Sequence, residues 1–198
     1  MFDDEAGGPP PMTYWTLGLV VVLALAGCAT APRPQLSREQ WMALKTKDYQ
    51  DVTPARAYQA AEQLLRLADP EDVTVTYDAE GRLQAVRTWR MWTGFFLFTQ
   101  YGADTWRVRA EPVGTGARVM VSVSRAGETG AQPLTGLDDD PALYDLWWAR
   151  MEYLLGRATT WLTCAAFQER TGRAYGDPFL LCDPFTIEDR APEAFTAR

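Results

Sequence analysis

Four successive runs between residues 73 and 123 place apolar side chains at every second position, and a period of two has one structural use, a strand that buries one face. In the first run Val73, Val75 and Tyr77 alternate with Thr74 and Thr76. In the second, Leu83, Ala85, Trp89 and Met91 share a face; the third carries Trp106, Val108 and Ala110, and the fourth Val119, Val121 and Val123. Asp78-Ala79-Glu80-Gly81 and Gly114-Thr115-Gly116 are short turn sequences, which makes hairpins of the first and last pairs. The expectation is an antiparallel sheet of about four strands with one apolar face, and such a face must be covered.

Helical patterns flank the sheet. Ser37-Arg38-Glu39-Gln40 has the form of a capping box, with Trp41, Met42 and Leu44 implying a short helix at the domain edge. Thr53 is a candidate N-cap ahead of Pro54, and Tyr58, Ala61, Leu64, Leu65 and Ala68 recur at helical spacing until Asp69-Pro70 stops them. Asp140-Pro141 opens a last helix whose stripe runs through Leu143, Leu146, Trp147, Arg150, Met151, Leu154, Leu155, Ala158, Trp161, Leu162 and Ala165, with Gly172 closing it. At roughly 1.5 Å per residue that stripe spans about 35 Å, against about 20 Å for a strand, so the helix bends, with Gly156 the candidate position, or overhangs the sheet. The fold class expected is α+β, an antiparallel sheet packed against a long C-terminal helix and a shorter N-terminal one. The tail, Tyr175 to Arg198, is expected to be irregular.

Ahead of the domain, Leu25-Ala26-Gly27-Cys28 closes an apolar run that begins at Tyr14. Its core, Leu17 to Ala24, is too short to span a bilayer, which takes about 20 apolar residues. Residues 12–30 resemble the export signal of a bacterial lipoprotein. That resemblance implies cleavage before Cys28 and diacylglycerol on its thiol. Such signals usually open with Lys or Arg, whereas no base precedes Cys28 here, so either Met12 is the start or export tolerates a neutral lead. Ala29, where Asp would imply retention in the inner membrane, implies the periplasmic face of the outer membrane. The organisation expected is a signal peptide at 1–27, a lipidated tether at 28–36 and one periplasmic α+β domain at 37–198. Pro32 and Pro34 favour extended geometry in the tether, at about 3.1 Å per residue.

Removing residues 1–27 leaves enough chain for one domain with a real core. The leader takes three acids and no base with it, moving the formal charge of -7 toward zero, an ordinary value that argues against nucleic acid as a partner. With 0 His, triads and general bases built on His are excluded, along with most transition-metal sites. Lipidation of Cys28 would leave Cys164 and Cys182, an even number in an oxidising compartment. Their pairing closes a loop of about 18 residues, for which chain entropy gives roughly 3 kcal/mol. The alternative, a reactive thiol, lacks a nearby His or a Cys-x-x-Cys spacing. Asp138-Asp139-Asp140 lacks the spaced ligands of a calcium loop and suits an acid-rich helix start, so no metal is expected. No Gly-x-Ser-x-Gly, Gly-rich phosphate loop or Cys/His pair is present, and neither catalysis nor a cofactor is expected.

Two constellations remain as a candidate binding face. The strand phase puts Arg82, Arg90, Arg107, Arg109 and Arg118 on the side of the sheet opposite the core, where forked donors suit carboxylate or phosphate, or where Glu111 and neighbouring acids simply balance them. Arg87 falls on the apolar face and must be paired or lie at an edge. Between the second and third runs Trp89, Trp92, Phe95, Phe96, Phe98, Tyr101 and Trp106 crowd together, too apolar to stay wet; they pack, pair as a strand, or dock on lipid or protein. Trp148, off the stripe of the last helix, is a candidate surface anchor.

Across about residues 53–168, the order of helix, antiparallel strands and long helix resembles the helix-grip arrangement of outer-membrane lipoprotein subunits of the barrel-assembly machinery and of lipid-transfer domains. It is a resemblance of topology and carries no site residue with it. The function expected is that of a lipid-anchored envelope protein, a binding or scaffold component with an envelope protein as partner. The alternative is a carrier that encloses a lipid or other apolar ligand between sheet and helix.

Overall fold

The computed structural model describes residues 36–68, 73–93, 98–129, 132–135, 141–172, 181–182 and 191–192. The expected signal peptide, Cys28 and all but the last residue of the tether lie outside them, as do Phe95, Phe96 and the acidic run at 138–140.

Local signals set the first elements. Ser37 accepts from the backbone N–H of Gln40 while the Gln40 side chain accepts from the backbone of Ser37, a complete capping box that starts helix α1, Arg38–Lys45. The chain runs straight into strand β1, Thr46–Tyr49. Thr53 Oγ1 then accepts from the Arg56 N–H at the head of α2, Pro54–Ala68, whose buried stripe is Ala57, Ala60, Ala61, Leu64, Leu65 and Ala68. Strands β2 (Val73–Tyr77), β3 (Leu83–Thr93), β4 (Phe98–Val113), β5 (Gly116–Thr129) and β6 (Gln132–Thr135) follow, then helices α3 (Pro141–Leu154) and α4 (Cys164–Thr171).

The sheet is antiparallel, in the order β1-β5-β4-β3-β2, with β6 beside the far end of β5. It has six strands rather than about four. Both expected hairpins form, and β3 pairs with β4 along its whole length. β1 escapes the alternation because Tyr49 is the only one of its residues that is buried; its place is set by pairing with Ala117–Met120 of β5. β4 and β5 extend further than their apolar runs because the core-side positions of that extension hold Gly102, Asp104, Arg125 and Gly127, which carry no hydrophobic signal.

The long C-terminal helix is two helices. α3 ends at Leu154, and Gly156 takes a left-handed backbone (φ 74°) as the chain turns, with the Arg157 and Ala158 N–H groups both donating to the Glu152 carbonyl. Thr163 then caps α4 by accepting from Ala166 N–H, and Gly172 (φ 67°) closes it. The break relieves the excess length over the sheet, and Ala165, assigned to the stripe, is exposed. Cys164 and Cys182 lie at disulfide distance, with Cα atoms 5.5 Å apart.

Ser37 onward forms one compact unit with its core between the sheet and α2 and α3. Trp106 stacks on Trp147 at 5.0 Å between ring centroids, and Leu64, Leu83, Val121, Tyr144, Leu146 and Phe167 fill the space around them.

Candidate functional site

The register that buries Leu83, Trp106, Val108 and Val121 also fixes what points the other way. Gln84, Arg107 and Ser122 make one rung of the outer face; Arg109, Met120 and Thr46 make the next, and Glu111, Arg118 and Asp48 the one beyond. A groove of about 480 Å³ crosses these rungs, between the β2–β3 turn (Asp78, Arg82) and the end of α1 (Met42, Lys45).

Three of the five arginines assigned to this face are already met by carboxylates. Arg118 makes a two-pronged pair with Asp48 at 2.7 and 2.8 Å, and that hydrogen bonding holds the Asp48 carboxyl below its ordinary range. Arg82 bonds Asp78 at 2.6 Å and Glu80 at 2.9 Å, and it lowers Asp78 in the same way, helped by backbone N–H donors. Arg109 pairs with Glu111. Arg107 and Arg90 are exposed and make no ion pair or hydrogen bond with a described residue.

No family model, curated protein or solved structure matches this chain. The site therefore rests on its own geometry. Among the described residues no group of His, Cys, Asp and Glu is placed to hold a metal, and no helix is long and apolar enough to cross a membrane.

Trp148 is turned inward rather than presented as an anchor. Its indole N–H donates to the Leu44 carbonyl at 2.7 Å and its ring packs on Tyr49 and Trp147, clamping α1 to α3. Phe95 and Phe96 lie outside the described residues.

Two charged constellations on the core side were not assembled from the sequence, although Arg87 and Arg150 were each placed on the apolar side. Arg87, Asp104 and Arg125 form one rung across β3, β4 and β5; Asp104 is fully buried and accepts from Arg125 at 2.7 and 3.0 Å, facing Arg87 on its other side. This supplies the neighbour that Arg87 required. Trp89 lies against the adjoining glycines, since a Cβ on Gly102 would stand 2.6 Å from its ring, and Arg125 sits 5.0 Å from that ring's centroid. The signal was present: Asp104 is in phase with Trp106 and Val108, and Arg125 with Val121 and Val123. At the other end of the core, buried Arg150 donates to the carbonyls of Leu162 and Leu181 and to Cys164 Sγ, joining α3 to the bridged segment.

Proposed function

We propose that this chain is an envelope lipoprotein, exported by residues 1–27, acylated on Cys28 and held at the periplasmic face of the outer membrane. It acts without catalysis, as a binding or scaffold component of an envelope assembly, through the outer face of its sheet. One observation carries this reading: the two faces of the sheet are unequal. One is buried under α2 and α3, while the other exposes arginines among polar side chains, two of them without a partner among the described residues. An exposed polar face with unmatched forked donors suits a macromolecular partner.

The carrier alternative needs room between sheet and helices, where the Trp106–Trp147 stack and its neighbours sit. It finds no support in that packing. The two readings separate on affinity purification of the full chain from detergent-solubilised envelopes, with Arg107→Glu/Arg109→Glu alongside. Stoichiometric protein that is lost in the variant is the expected result. Lipid alone, retained in the variant, favours the carrier and contradicts the scaffold.

A further inference from the structure

We propose that the groove on the outer sheet face binds an extended acidic segment of a partner polypeptide, seating one of its carboxylates in the fork of Arg107. This rests on the scaffold reading and names the partner's chemistry.

Charge comes first. Lys45, Arg82, Arg107 and Arg109 line the groove, where Asp78 and Glu80 meet Arg82 and Glu111 meets Arg109, so the excess positive charge there falls at Arg107. Unmatched positive charge at this groove favours an acidic partner segment over a basic one.

The face also shows which anion its arginines take. Arg82, Arg109 and Arg118 each hold carboxylates of this chain, so Arg107 is the one arginine of the groove without such a partner among the described residues. Its neighbours on the rung, Gln84 and Ser122, are neutral hydrogen-bonding groups, and Lys45 already lies over the rings of Trp41 and Tyr144. One open guanidinium between neutral groups matches the single charge and planar fork of a carboxylate, whereas a doubly charged phosphate calls for clustered cations.

Shape decides between a small molecule and a chain. The floor crosses β3, β4, β5 and β1, three interstrand gaps or about 14 Å, the length of about four extended residues. Met42, 51% exposed, and Met120 supply apolar contact beside the arginines, which suits side chains alternating between acidic and apolar.

The test uses the full chain in detergent and a fluorescent hexapeptide of alternating Glu and Leu, read by anisotropy at low salt. Probes in parallel are the Gln-for-Glu peptide, phosphatidylglycerol vesicles and inorganic phosphate. Saturable binding of the Glu peptide is expected, weakened at least about tenfold by Gln for Glu and by Arg107→Ala. Arg90→Ala removes an unpartnered arginine of the same face about 20 Å further along the strands and is expected to change binding less than about twofold. Arg107→Lys, which keeps the charge and loses the fork, is expected to fall between. Absence of saturable binding, equal binding by Arg107→Ala, or Arg107-dependent binding of phosphate or vesicles without the peptide each overturns the proposal. If a stoichiometric envelope protein still co-purifies and is lost in Arg107→Glu/Arg109→Glu, the scaffold reading survives that failure. If none co-purifies, the scaffold reading itself falls.

Discussion

Asp104 sits with no exposure between the side chains of two arginines, in the middle of a sheet face that is otherwise apolar. A buried carboxylate of this kind contributes little net stability while intact, because desolvation offsets attraction, but its removal strands the charges around it. Asp104→Ala is therefore expected to cost about 3–5 kcal/mol, read from the urea midpoint. Surface carboxylates act through pH instead. Asp48 and Asp78 are held below their ordinary value of 3.8 by Arg118 and Arg82. Folding thus favours their ionised form, and the stability so gained is present above about pH 4 and lost as pH falls through the lowered folded-state values. The urea midpoint is expected to drop as pH falls below about 4, and to drop less steeply in Asp48→Asn/Asp78→Asn. Partner identity at this scale was only half legible. Arg87 on an apolar face announces the need for a neighbour, whereas choosing Asp104 requires the strand register, which no single strand encodes.

α2, α3 and the two hairpins follow from caps, spacing and turns, because each depends on residues within a few positions of one another. The split between α3 and α4 was hidden by burial continuing across it: Leu155, Trp161, Cys164 and Phe167 are all buried, so the apolar stripe persists while the helix does not. Gly156 and the cap Thr163 were the local signals. Gly156 has φ 74°, and a Cβ there would meet only the Arg56 guanidinium, at an ordinary contact distance of 3.9 Å, so Gly156→Ala is expected to cost about 1 kcal/mol from backbone strain. Gly102→Ala is a different case. Its Cβ would stand 2.5 Å from the Ala126 carbonyl oxygen, so the hairpin has to shift and the loss in thermal midpoint is expected to be the larger of the two. Strands β1 and β6 lay beyond the alternation because both are short and take their position from the edge of β5.

At the scale of the molecule, a domain with one buried and one open sheet face, anchored as proposed, would divide its labour between the membrane and a partner. The proposed anchor rests on Leu25 to Cys28 alone, and Cys28→Ser is expected to move the protein from the membrane to the soluble fraction; retention through a high-salt wash contradicts it. The proposed binding face was legible as a set of arginines. Which of them are already paired was not, since Asp48 meets Arg118 across 70 residues of chain. As proposed, the outer sheet face is the working surface. Its most direct measurement is in-cell photo-crosslinking, with the crosslinker placed at Ser124 on that face or at Gln59 on the exposed side of α2. A discrete protein adduct from Ser124 and none from Gln59 is expected. Adducts from Gln59 alone, or only lipid adducts from either position, would contradict it.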